Sequence, residues 1–399
     1  MAEVISLFSG LGGLDLGLEA AGWECLYATD IDARAVECLQ ANRNYLLGNG
    51  SRFLQGAKIE RADIRDLTGM DILGKVGRKR GSIDLLAGGP PCQSWSSAGH
   101  QLGFNDPRGR LIGEYLRVAS ELDCRYLLFE NVRGLVTARG SDGTPGSALA
   151  WLREQLFACG WQTRVELLNA ADFGVPQRRV RVVLVGFRVG DAPEMPTATH
   201  SKSPVPEGLL PWRTLGDCLL ELVPPTNGEI LRPTGKLAAE LEAIPPGSGV
   251  KSPGKRETTR PGGHWGYRQG AFVADLKLPA RTVTANAQQD WVRDPATGLR
   301  KLSPRECAAI QTFPEGWALS GGRSDQYRLV GNAVPPTLAH AVGMALLESC
   351  NQVAAPKRWA TLAPLPGRLL SAIDYTRREE HRNGLSRRQA PAKRRVQTG

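Results

Sequence analysis

Over residues 1–190, short apolar runs bounded by Gly, Pro and polar residues alternate with stretches where apolar side chains recur every three or four positions. The first kind predicts strands at Val4–Phe8, Glu24–Thr29, Ile83–Ala87, Tyr126–Glu130, Gln162–Leu168 and Arg181–Phe187. The second predicts helices at Leu14–Ala21, Asp32–Asn42, Gly109–Leu122 and Ser147–Ala158. Strands separated by helices imply an α/β fold, a doubly wound, mostly parallel sheet of about six or seven strands covered on both faces.

The pattern breaks after residue 190. Residues 191–300 hold 14 of the 27 prolines and little helical periodicity, which predicts a smaller, loop-rich second module. Order resumes at Ser303-Pro-Arg-Glu306, where Ser303 can cap a helix, Pro304 suits its first position and Glu306 completes a capping box. A last helix follows Pro335-Pro336, so residues 301–355 are expected to return to the first domain. Residues 356–399 read as a Pro-rich, then basic, tail without an apolar face.

Charge and cysteine content narrow this picture only slightly. The formal charge is +10, and residues 366–399 hold nine Lys/Arg against three Asp/Glu, which suits a polyanionic partner without requiring one. Eight cysteines include no Cys-x-x-Cys pair, so neither a disulfide framework nor a metal site is signalled. The start lacks a basic region followed by a long apolar stretch, and no run of membrane-spanning length is evident, so a cytoplasmic location is expected.

Chemistry first shows after the opening strand, in Phe8-Ser-Gly-Leu-Gly-Gly-Leu-Asp-Leu-Gly17, a glycine turn entering a helix. A dinucleotide fingerprint counted from Gly10 requires glycine at position 15, where Asp15 would repel a pyrophosphate. Asp15 suits a cationic ligand such as an amino-acid ammonium, so an adenosyl-amino-acid cofactor fits better than NAD. Asp30, 17 residues after Gly13, stands where an acid grips ribose hydroxyls, with Ile31 beside the adenine. Asp63 offers a carboxylate to the adenine amino group and Ile64 an apolar neighbour. In Ile83-Asp-Leu-Leu-Ala-Gly-Gly-Pro-Pro-Cys-Gln93, a strand ends in a rigid turn with Cys92 at its tip, a candidate nucleophile.

These segments, with Asp106-Pro-Arg-Gly-Arg-Leu111, Glu130-Asn-Val132, Gln177-Arg-Arg-Val-Arg181, Arg300–Pro314 and Gly331-Asn-Ala-Val-Pro-Pro336, resemble the DNA (cytosine-5)-methyltransferases nearly end to end. The resemblance implies a Rossmann-like S-adenosylmethionine-dependent fold. It also implies transfer of a methyl group from S-adenosylmethionine to cytosine C5. By that resemblance Cys92 adds to C6, Glu130 protonates N3, and Arg179 and Arg181 hold the base and its phosphate. The resemblance likewise implies that Phe8, Gly10, Gly12, Gly13, Asp15, Asp30, Ile31, Asp63, Ile64, Pro90, Leu111, Asn332 and Val334 form the cofactor pocket.

The cytosine must leave the duplex to meet both thiol and methyl donor. Residues 191–300 correspond to the family's target-recognition region, with Arg256, Arg260 and Arg268 as candidate DNA contacts and Arg281-Thr-Val-Thr284 closing it. The implied partners are duplex DNA and a cognate restriction endonuclease, with the enzyme a monomer. Two alternatives stay open here: a transfer-RNA methyltransferase of the same fold and a non-catalytic DNA-binding relative.

Overall fold

A computed structural model describes residues 1–91, 111–203, 205–254, 270–352 and 355–389. Its first part runs β1 (Glu3–Leu7), α1 (Gly13–Ala20), β2 (Glu24–Asp30), α2 (Ala33–Ala41), β3 (Lys58–Arg61), α3 (Gly69–Val76) and β4 (Leu85–Gly88). It continues with α4 (Leu111–Leu122), β5 (Tyr126–Val132), α5 (Ser147–Ala158), β6 (Gln162–Asn169) and β7 (Val180–Phe187). The seven strands form one sheet in the order β3-β2-β1-β4-β5-β7-β6, parallel except for β7, which runs antiparallel to β5 and β6.

Successive side chains on a strand point to opposite faces. Val4, Leu85, Leu128 and Val183 therefore join one buried cluster with Leu14 and Leu18 of α1 and Leu39 of α2. Their neighbours Ile5, Leu86, Leu127 and Val182 join a second with Ile72 of α3, Val118 of α4 and Leu152 of α5. Burial on both faces explains why these strands read as apolar runs rather than as alternations. Strand order turns about β1, which opens a crevice beyond the carboxyl ends of β1 and β4.

Between residues 191 and 300 lie β8 (His200–Ser201), β9 (Leu210–Pro211), α6 (Leu215–Leu220), α7 (Gly235–Ala243), β10 (Ser248–Gly249), β11 (Phe272–Val273), β12 (Trp291–Asp294) and β13 (Gly298–Lys301). The last four form a small sheet, and Leu241, Ile244, Val273, Trp291 and Leu299 make its own buried cluster.

Then follow α8 (Pro304–Ile310), α9 (Arg323–Asn332) and α10 (Pro336–Asn351). Ser303 and Glu306 form the expected capping box on α8, and Glu306 also pairs with the buried Arg300 at 2.8 Å. Helix α10 packs on α1: the Trp23 indole donates to the Gly343 carbonyl at 2.9 Å, and Leu18, Leu338 and Val342 share one cluster. Contrary to expectation, one stretch, Arg323–Asn351, has the length and hydropathy of a membrane span. It is 67% buried inside the fold, however, which marks it as core packing.

The basic tail also departs from expectation. Residues Gly367–Gln389 form a helix, α11, that buries Leu369 and Ile373 beside Leu135, Val136 and Leu149. Two apolar residues four apart lie on one helix face, enough to dock it. Leu369→Ala is expected to cost about 2–5 kcal/mol of stability, measured by urea denaturation; an unchanged midpoint overturns this docking.

Candidate active site

The crevice is a cavity of about 800 Å³, lined by the loops after β1 to β5, the start of β7, residues 282–285 and residues around 328–334. Its first wall is the glycine loop. Phe8, Gly10 and Gly12 all take positive φ (57°, 55° and 86°), which glycine allows freely and Phe8 does not. Asp30 holds this loop: one carboxylate oxygen accepts from the Gly10 N–H and the other from the Asp32 N–H, both at 2.9 Å. Burial raises the Asp30 pKa above the ordinary carboxylate value.

Phe8, Gly10, Asp30 and the exposed Ile31 line the cavity, as do Asp63, Ile64, Pro90 and Leu111. Asn332 and Val334 close it from the last motif. Three expected cofactor residues do not face it. A Cβ on Gly12 would meet the side chains of Leu39 and Phe53, and one on Gly13 would strike the Val334 carbonyl, so both glycines serve core packing. Asp15 lies on α1 behind the loop, 1% exposed, with its Oδ1 accepting from Ser9 Oγ at 3.4 Å and its Oδ2 unpartnered. Its pKa is pushed up to about 6 by burial. The fingerprint identifies the turn without telling which side a residue takes.

A neighbouring acid was not foreseen. Glu19 is buried, accepts from the Leu54 N–H at 2.7 Å, and is pushed up to about 8, chiefly by burial. Because its folded pKa is raised, the native state holds a proton that the unfolded chain releases. Stability is then present in full below the ordinary value of 4.5 and is lost as pH rises to about 8. At about 1.4 kcal/mol per unit, the wild type is expected to weaken by several kcal/mol across this window. Glu19→Gln, which keeps an acceptor for Leu54, should flatten the profile; parallel urea-denaturation curves for both proteins would refute this.

The opposite wall carries Glu130 and Arg181, paired from β5 and β7 at 3.1 Å. Both are nearly buried, and burial raises the Glu130 pKa against the opposing pull of Arg181 and Arg179. Asn131 donates to the Pro90 carbonyl at 3.0 Å, which ties the Pro-Pro turn to the end of β5. Cys92, which follows that turn, lies outside the described residues, as do Arg256, Arg260 and Arg268.

Arg179 reaches the same cavity as Arg181 and is also engaged by backbone carbonyls. Its Nη atoms donate to the carbonyls of Val283, Gly331 and Ala333 at 3.0, 2.9 and 2.8 Å, joining β7 to the closing stretch and the last motif. Gln177 works alongside it: its amide donates to Gln311 at 2.8 Å and accepts from the Val283 N–H at 2.9 Å, and Gln311 donates to the Val330 carbonyl at 2.8 Å. These glutamines were legible only as members of motifs. Arg281 pairs with Asp290 at 3.0 Å, and a Cβ on Gly331 would strike Thr284, so the closing stretch abuts the last motif.

Among solved structures, the fold is similar to methyltransferase EhMeth of Entamoeba histolytica, with TM-score 0.61, 14% identity, and coverage of 88% of this chain and 99% of that one. It is also similar to a DNA modification methyltransferase encoded within an E. coli prophage, with TM-score 0.59, 21% identity, and coverage of 88% and 100%. Sheet and crevice together define an open, doubly wound α/β fold, shared with these two proteins. In sequence the chain is 30% identical over 366 residues to Type II methyltransferase M.FnuDI of Fusobacterium nucleatum, covering 87% of this chain and 94% of the relative. It is 32% identical over 370 residues to Type II methyltransferase M.PspPI of a Psychrobacter species, covering 89% and 80%. The model of the C-5 cytosine-specific DNA methylase family matches residues 2–348, and the chain belongs to that family, whose members are DNA cytosine-5 methyltransferases.

Proposed function

We propose that the protein transfers a methyl group from S-adenosylmethionine to C5 of a cytosine extruded from duplex DNA, within a sequence read by residues 191–300. The observation that carries this is a single cavity that joins the glycine loop and Asp30 to the Glu130–Arg181 pair. Its volume suits an adenosyl cofactor together with a base. Asp30 would hold the ribose hydroxyls, Asp63 the adenine amino group, and Ile31 and Ile64 the adenine faces. S-adenosylmethionine, when bound, supplies an electrophilic methyl group.

Cytosine C5 is a weak carbon nucleophile, so the Cys92 thiolate first adds at C6. The C5=C6 pair shifts toward C4, and N3 takes a proton from Glu130. Burial of Glu130 supports this role, because it favours the protonated carboxyl. After C5 is methylated, its remaining hydrogen leaves as a proton, Glu130 recovers the N3 proton, and sulfur departs with its electron pair as C5=C6 re-forms. Arg181 orients Glu130 and meets the base, while Arg179 positions the wall beside it.

Action as a monomer in the cytoplasm belongs to the same proposal. The Type II names of the relatives support a cognate restriction endonuclease as partner, and their family favours DNA over transfer RNA. Base-resolution methylation mapping of DNA from a methylation-free host expressing the chain tests the reading. Methylated cytosine confined to one short sequence is expected; unmodified DNA alongside methylated transfer RNA would overturn it.

A further inference from the structure

Five arginines line the cavity: Arg65, Arg133, Arg179, Arg181 and Arg328. Four are engaged. Arg65 pairs with Asp63, Arg181 with Glu130, and Arg328 with Asp32 and Asp325, while Arg179 donates to three carbonyls. The cavity's remaining carboxylate, Asp30, is held by backbone N–H groups. Arg133 alone of the five has no hydrogen-bond or ion-pair partner among the described residues.

Its position makes this consequential. Arg133 opens the 3₁₀ turn Arg133–Thr137 directly after β5, three residues beyond Glu130, and is partly buried. Desolvation alone shifts its pKa, downward. A guanidinium withdrawn from water without an anion is costly, and an incoming anion offsets that cost. The turn is also braced: Leu369 and Ile373 of α11 share a buried cluster with Leu135 and Val136, and Ala372 reaches the cavity wall. That helix lies outside the 2–348 span matched by the family model.

We infer that Arg133 binds an anionic oxygen, supplied by a DNA phosphate beside the extruded cytosine; this rests on the function proposed above. The other source of such an oxygen is the carboxylate of the cofactor. Asp30 ends β2 and Arg133 follows β5, and the three intervening strand spacings amount to about 14 Å. Arg133 therefore stands on the side of Glu130, where the extruded base would lie, and cofactor affinity measured beside DNA binding separates the two sources.

The test titrates the full chain with a fluorescent duplex at several salt concentrations, using wild type, Arg133→Ala, Arg133→Gln and Arg133→Lys. Arg133→Ala is expected to bind about five- to ten-fold more weakly, with the slope of log affinity against log salt reduced by about one. Arg133→Gln, which still fills the partly buried position, should show the same loss, and Arg133→Lys should recover most of the slope. Affinity for S-adenosylmethionine, measured by calorimetry, should not change. An unchanged salt slope in folded Arg133→Ala and Arg133→Gln overturns the inference alone. Lost cofactor affinity with an intact DNA slope assigns Arg133 to the carboxylate and overturns it too. Wild-type protein without salt-dependent duplex binding overturns the underlying function as well.

Discussion

Incubated with S-adenosylmethionine and a duplex carrying 5-fluorocytosine at the target, the enzyme is expected to end as a protein–DNA adduct that survives denaturation, and Cys92→Ala to leave none. The thiolate still adds at C6, but after methyl transfer fluorine stands where a removable proton belongs. Fluorine cannot depart as a cation, so the Cys92–C6 bond persists. Glu130→Gln should keep DNA affinity within a few-fold while kcat falls about 10²–10⁴-fold, and its adduct should form correspondingly slowly. Because burial raises the Glu130 pKa, the working proton is present below that value and is lost as pH rises through it. The wild-type rate should therefore fall on the alkaline side, whereas Glu130→Gln stays flat there. A cofactor-dependent adduct in Cys92→Ala would mean that another nucleophile acts, and equal alkaline profiles would remove Glu130 as the acid.

The second large effect is on stability. Gly17 sits in the middle of α1 where α10 crosses it, and a Cβ there would stand 2.5 Å from the Pro336 carbonyl oxygen and 2.6 Å from the His340 nitrogen. Both obstacles are backbone, so neither can swing away. Gly17→Val is expected to cost about 3 kcal/mol or more, and to weaken cofactor affinity, because the glycine loop enters α1. Urea denaturation and calorimetry together check this. A variant as stable as wild type would show that the helices part more easily than their contacts suggest.

Much of the fold was legible because strands buried on both faces carry continuous apolar runs; Val182–Val185 is unmistakable. Strand β3 has no apolar run to announce it, since Lys58-Ile-Glu-Arg61 is a short, charged sheet edge. Helix α11 escaped notice because Leu369 and Ile373 anchor it within an otherwise polar sequence. Arg179 and Arg181, two positions apart, line one cavity, yet only the structure shows how their partners differ. The carbonyls that occupy Arg179 arrive from residues 283, 331 and 333, more than a hundred positions along the chain. Local spacing cannot report such partners. Gly12, Gly13 and Asp15 illustrate the same limit at shorter range, since their motif specifies a turn and long-range packing decides what each side chain meets.

The packing of α1 on α10 also sets an order of events during synthesis. The glycine loop leaves the ribosome well before the helix that covers its stem. At about 5–20 residues per second, the two are separated by tens of seconds. Throughout that interval the nascent glycine loop lacks its support. A chain that stops short of α10 leaves the stem of the glycine loop uncovered.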